Sequence, residues 1–119
     1  MQNRIYKFRA WNKGRKEMDY PKGTVWLANF WQIIETDPDN FEVMQYTGLR
    51  DKNGKEVYDS DEIKTQNNVK GYVEWGVDGW IVILEDERFG KNQENLEYAI
   101  DMGIEVIGNI YESDLSTSK

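Results

Sequence analysis

Apolar and aromatic side chains fall at every second position in a series of runs five to seven residues long, and segments containing Gly, Asn or Pro separate the runs every 8–12 positions. A two-residue period places one face of each run in a core and the other in solvent, which is the pattern of β-strands. Short strands at that spacing close into a small barrel or sandwich. With 119 residues the chain fits a single domain with one core. Five Trp and seven Tyr supply enough large apolar surface to build that core.

The runs can be followed in order. Ile5 to Trp11 alternates, with Tyr6, Phe8 and Ala10 on one face and Lys7 and Arg9 on the other. Asn12 to Lys16, with Gly14, is a turn, and Met18 and Tyr20 return on a second short strand that Pro21 stops. Thr24 to Ile34 is apolar at almost every position. A buried strand and a short helix both fit it; its β-branched and aromatic content favours a strand bent near Asn29. Asp37-Pro-Asp-Asn40 is a turn, and Phe41 to Thr47 alternates again.

Asn53-Gly54 reads as the two positive-φ positions of a type I′ hairpin turn, with arms Leu49–Asp51 and Lys55–Tyr58. Asp59 to Asp61 turns the chain into Glu62–Thr65. Val69–Trp75 and Gly79–Leu84 form the main hairpin around Gly76–Gly79. Asn92 caps a single helix through Leu96, Ala99 and Ile100, and Gly103 ends it in the left-handed conformation. Glu105–Tyr111 is the last strand, and Ser113–Lys119 is a polar tail.

The expected fold is therefore mostly β: an SH3-like small barrel, with an N-terminal β section and one short helix near the C-terminus. The 119 residues form one domain, divided into residues 1–44 (N-terminal section), 45–112 (barrel) and 113–119 (tail).

Composition narrows the chemistry. There is no Cys, so disulfides, thiolate metal sites and thiol nucleophiles are excluded. There is no His, which removes the usual general base near neutral pH and the commonest metal ligand. The start of the chain lacks the apolar stretch of a signal peptide, and no apolar run reaches membrane-spanning length. A cytoplasmic location is expected, with no cofactor, no metal and no membrane contact.

Charge is split along the chain. Residues 1–34 carry seven Lys/Arg against two acids, a net +5; residues 35–119 carry eight against twenty, a net −12. Either the basic section packs beside the acidic body of its own chain, or it docks on that of a neighbour.

Four segments carry a further signal: Tyr6-Lys-Phe-Arg-Ala-Trp11, Gln45-Tyr-Thr-Gly-Leu49, Asp51-Lys-Asn-Gly-Lys-Glu-Val-Tyr58 and Glu105-Val-Ile-Gly-Asn-Ile-Tyr-Glu112. In order and spacing they resemble the YopX family of small phage and prophage proteins, along nearly the whole chain. The resemblance implies a mostly β fold with an SH3-like part, and oligomers. It carries over no activity, substrate or catalytic residue. Two positions depart from the family pattern. Ser60 stands where the family has a Gly suited to positive φ, so that turn carries strain. The family's Asn-Pro-Glu-Leu-Leu ending is reduced here to Ser113-Asp-Leu115.

Candidate sites are few. Asp59, Asp61 and Glu62 form one carboxylate cluster and Glu85, Asp86 and Glu87 another, but neighbours in one turn lack the opposed geometry of acid–base catalysis. Asp51-x-Asn53-Gly54 and Asp59-x-Asp61 echo fragments of a calcium loop without its sixth-position Gly and twelfth-position Glu. Phosphate-binding glycine loops are absent. Lys7, Arg9, Arg15 and Lys16 near Trp11 are candidate nucleic-acid contacts, a small basic stripe beside an aromatic platform. Against that, the acidic body repels a long duplex. The acidic body itself prompts a comparison with a phosphate backbone, although solubility explains it equally. Trp75 and Trp80 flank one turn and are expected to pair across it.

The functional expectation is a phage-encoded, non-enzymatic accessory protein that works by protein–protein contact. Its partner is either a second copy of the chain or an unidentified host or phage protein in a bacterial cytoplasm. The alternative is weak binding of single-stranded nucleic acid by the basic first hairpin.

Overall fold

A computed structural model describes residues 7–21 and 23–112, with the backbone alone for 23–27. The expected start of the first strand at Ile5 and Tyr6, and the expected tail Ser113–Lys119, lie outside the described residues. The chain divides into two compact units, one ending at Gln45 and the other beginning at Tyr46. Strand class dominates, in two antiparallel sheets.

In the first unit, β1 (Phe8–Asn12) pairs antiparallel with β2 (Glu17–Asp19) and with the start of β3 (Phe41–Arg50). Trp11 faces Met18 on one side, and Ala10 faces Val43 on the other. Two asparagines brace the first hairpin. The Asn12 side-chain oxygen accepts the Arg15 N–H at 3.0 Å and the Asn40 amide at 2.9 Å, while the Asn40 oxygen accepts the Gly14 N–H at 2.8 Å.

The segment expected to be a strand near Asn29 is instead α1, a helix over Gly23–Thr36. The run is apolar at nearly every position, so it carries no two-residue period, and at this length a helix satisfies its backbone without a sheet partner. Phe30 is buried and Ile34, one turn on, is half-buried, while Trp31, Gln32 and Ile33 are exposed. The Trp31 ring meets Phe8 edge to face at 5.3 Å. Pro38 bars continuation of the helix and begins a 3-10 turn, Pro38–Asn40.

The second unit holds the end of β3, β4 (Glu56–Tyr58), β5 (Asp61–Lys64), β6 (Lys70–Trp75), β7 (Trp80–Asp86), β8 (Gly90–Asn95), α2 (Leu96–Asp101) and β9 (Glu105–Asn109). Its five-stranded sheet runs β8-β7-β6-β5-β9 and curls into a half-barrel, as expected for a small β-barrel. Val57, Ile63, Val73, Val82, Leu96, Ala99, Ile104 and Val106 form one core. Each of the larger ones stabilises the fold by about 1.5–3 kcal/mol relative to exposure. Leu96 and Ala99 come from α2, so the short helix closes this core, as its sequence position implies.

Several local expectations are corrected. The hairpin between β3 and β4 exists, but its turn is not type I′. Gly54 (φ 82) has positive φ and Asn53 does not. The turn closes through Gly54 N–H to Asp51 C=O at 3.0 Å, with the Asp51 carboxylate organising the loop. The α2 cap is Asn95, which accepts from Glu97 and Tyr98, rather than Asn92. Asn92 lies in β8, a strand exposed at every position and therefore without apolar alternation. The last strand ends at Asn109, whose side chain caps a helical turn by accepting from Tyr111 and Glu112. Gly103 does end α2 with φ 90, and Ser60 does adopt positive φ, at 70°.

Candidate functional site

The feature that stands out on the second unit is the tip of the β6–β7 hairpin. Trp75 and Trp80 are the last pair of the ladder, opposite each other in register. Their rings meet edge to face at 4.9 Å, a cross-strand contact worth about 0.5–1.5 kcal/mol beyond the area it buries. The chain reverses through Gly76–Gly79, closed by Gly76 N–H to Gly79 C=O at 2.7 Å.

The two indoles play different parts. Trp80 shares a face with Val82 and Leu84 and packs against the core. Trp75 continues the Gly71–Val73 face one step past the last buried pair, so it rests on Trp80 and remains 62% exposed. Val77, at the apex, is 99% exposed. A shallow depression of about 230 Å³ flanks the tip, lined by Val77, Asp78 and Trp80 with Gln93, Glu94 and Asn95 of β8. Glu74 and Asp78 are exposed as well, Glu74 on the opposite face of β6 from Trp75. The result is an exposed apolar knob, held by a turn hydrogen bond and a ring contact. Docking such a preformed knob orders few side chains, and an exposed Trp is the residue type most enriched where binding energy concentrates.

The sequence-predicted basic stripe is distributed differently. Lys7, Arg15 and Lys16 are exposed, but Arg9 is 3% and Trp11 6% exposed. β1 is an inner strand, paired on both edges, and the side chains of Arg9, Ala10 and Trp11 are buried on both of its faces. Arg9 donates to the Tyr20 hydroxyl at 3.4 Å. Lys7 stands at the open end of the hairpin and Arg15 and Lys16 at its turn, about 17 Å apart along the strand.

The carboxylates singled out in the sequence serve turns. Asp51 accepts the N–H groups of Asn53 and Lys55 on Oδ1 and of Val106 on Oδ2, at 2.8–2.9 Å. Burial pushes its carboxyl up, and the three amides together outweigh burial and hold it below the usual value. Asp61, 2% exposed, accepts the Tyr58 N–H at 2.7 Å. In the other cluster, Asp86 accepts the Arg88 N–H at 2.7 Å, and Lys91 sits 4.0 Å from Glu85.

A second surface lies on the first unit. A groove of about 380 Å³ is lined by Tyr20, Phe30, Ile33, Ile34 and Phe41, with Arg15 and Asp19 among its polar groups. Tyr20 is 51% and Ile33 53% exposed. Among the described residues, no helix is long and apolar enough to cross a membrane.

The sequence profile described as YopX protein matches residues 7–115. The chain belongs to the YopX family. The resemblance read from the sequence thus holds over nearly the whole chain, and in this YopX-family chain Ser60 has positive φ. No curated protein matches it. Among solved structures, the crystal structure of protein EF1440 from Enterococcus faecalis is similar, with a TM-score of 0.61 and 22% identity over 92% of this chain and 96% of that one. At that identity the likeness establishes the fold.

Sequence reasoning placed Trp75 and Trp80 together across the turn but missed the exposure of Trp75 and the part of Val77. The available signal was the pair's position at the end of the ladder, with Glu74 before it and a glycine after it.

Proposed function

We propose that this YopX-family protein is a non-enzymatic, phage-encoded accessory module of the bacterial cytoplasm that works by protein–protein contact, with the Trp75–Val77 tip as its docking element. The observation that carries this reading is an indole 62% exposed on a braced hairpin. A Trp left in water beside a fully exposed Val costs solvation, and covering both on binding recovers it. The absence of His and Cys from the sequence supports a binding role over catalysis. The nucleic-acid alternative has less support, because the indole expected to stack on bases, Trp11, is buried.

The test is a photo-crosslinking residue at position 77, in cells producing the protein, with a control at exposed Asn67. A discrete protein adduct is expected at 77, absent at 67, and abolished by Trp75→Ala. The same adducts at both positions, or none at 77, would contradict the reading.

A further inference from the structure

Asn53 is the one asparagine of the chain that precedes a glycine. The pairing sets a carboxamide beside a backbone N–H that no side chain shields, because Gly54 has no Cβ. Both residues are exposed on the turn between β3 and β4. Among the described residues no hydrogen bond holds the Asn53 carboxamide, whereas those of Asn12, Asn40, Asn95 and Asn109 are engaged. Asn53 alone combines the reactive neighbour, the exposure and the unheld side chain.

The backbone beside it is held instead. The Gly54 N–H donates to the Asp51 C=O at 3.0 Å. Asp51 Oδ1 accepts the N–H groups on either side of Gly54, those of Asn53 and Lys55, both at 2.9 Å. The Asp51 N–H donates to the Lys55 C=O, and Arg50 Nη1 donates to the Gly54 C=O, both at 2.8 Å. Attack of the Gly54 nitrogen on the neighbouring carboxamide requires its release from the Asp51 carbonyl and the loss of its proton.

From this arrangement we infer that Asn53 is a deamidation site whose rate is set by opening of the turn that Asp51 holds. In the open turn, solvent hydroxide takes the Gly54 amide proton. The Gly54 nitrogen bonds to Asn53 Cγ, the bond from Cγ to the side-chain nitrogen breaks, and ammonia leaves. Water then opens the cyclic imide at either carbonyl. One route gives aspartate; the other gives isoaspartate, in which the main chain runs through the side chain and gains a carbon. Both products place a new carboxylate on the turn beside that of Asp51, where like charges repel. Isoaspartate also lengthens the loop that Asp51 ties to Val106. Modification at Asn53 therefore loosens a fastening of the second unit from outside its core.

The test is position-resolved mass spectrometry of the folded chain, and of the same chain unfolded in urea, through one incubation in mildly alkaline buffer. Asn53 is expected to be the first asparagine modified in both. In the folded chain it is expected to react at least ~30-fold more slowly, the factor that two net hydrogen bonds impose. The same opening exposes the Gly54 amide to solvent, so the slowing is expected to match the hydrogen-exchange protection of Gly54 within ~3-fold. Asp51→Ala is expected to speed the folded-state reaction at least ~10-fold. Arg50→Ala, at an exposed side chain, is expected to speed it ~3-fold without touching the core. Gly71→Ala strains β6, away from the turn, and is expected to leave the rate unchanged. The isoaspartate form, separated by ion exchange, is expected to have a lowered denaturation midpoint. Equal rates in the folded and unfolded chain would overturn the inference, as would earlier modification of another asparagine or a slowing unrelated to Gly54 protection. So would a rate that Arg50→Ala leaves unchanged or that Gly71→Ala raises as far as Asp51→Ala does.

Discussion

Asp51 Oδ2 accepts the backbone N–H of Val106 at 2.8 Å, joining the β3–β4 hairpin to the last strand across 55 positions of sequence. The other oxygen of the same carboxylate holds the Asn53 and Lys55 amides of the turn. One side chain thus fixes a local turn and a long-range strand position together, beside the core residue Val106.

Asp51→Asn replaces the oxygen facing Val106 with an N–H donor or leaves the turn amides facing one. Either way a buried amide loses its acceptor, at a cost of about 2–3 kcal/mol, to be read by urea unfolding at pH 7. The pH dependence has a definite sign. The folded carboxyl titrates below the ordinary aspartate value, so its contribution is complete above that ordinary value. It is lost as the pH falls through the lower folded value. The stability gap between wild type and Asp51→Asn is therefore expected to be constant from pH 7 to 5 and to shrink in acid.

Ser60 occupies positive φ at 70°, a conformation that costs an L-residue about 1–2 kcal/mol. Its hydroxyl recovers part of this through Asp59 at 3.2 Å, and glycine would lose unfolded-state stiffness. Ser60→Gly is expected to raise stability by about 0.5 kcal/mol, whereas β-branched Ser60→Val is expected to lower it by more than about 1 kcal/mol. Equilibrium denaturation of the three proteins checks the order.

Gly71 sits in β6 where a Cβ would run into the Ile83 carbonyl and crowd the Leu84 side chain at 3.0 Å. The carbonyl is fixed by the β7 ladder and has no room to yield. Gly71→Ala is expected to cost about 2–3 kcal/mol despite adding a single methyl group, measurable as a lowered denaturation midpoint.

The two indoles of the tip are expected to separate stability from binding. Trp80→Ala removes a ring packed on the core and is expected to cost about 3 kcal/mol. Trp75→Ala removes only a ring contact and is expected to cost about 1 kcal/mol, a Tm shift of about 4 °C. Its larger effect is expected in the crosslinking yield at position 77. Thermal unfolding and crosslinking of both variants check the contrast.

The main hairpin and the final strand were legible because Val73, Val82 and Val106 alternate with less buried neighbours, which is the information a half-buried strand writes into sequence. β8 was not, since Gly90–Asn95 is polar throughout and takes its strand form from pairing with β7. α1 was misread because its exposed face also carries Trp31 and Ile33, which erases the contrast between faces. Ser60 was legible through the family pattern alone. The docking tip was half legible: residue types and register place Trp75 opposite Trp80, but where the core ends along β6 is a property of packing, not of alternation.

The central claim is that Trp75 is held in solvent for a protein partner, and fluorine NMR of the 5-fluorotryptophan-labelled protein tests it most directly. The Trp75 line, assigned through Trp75→Phe, is expected to shift between H₂O and D₂O in dilute protein and to move in concentrated protein or host lysate. The buried Trp11 line is expected to do neither. A Trp75 line that ignores the solvent isotope as Trp11 does, or that stays fixed under both conditions, would contradict the account.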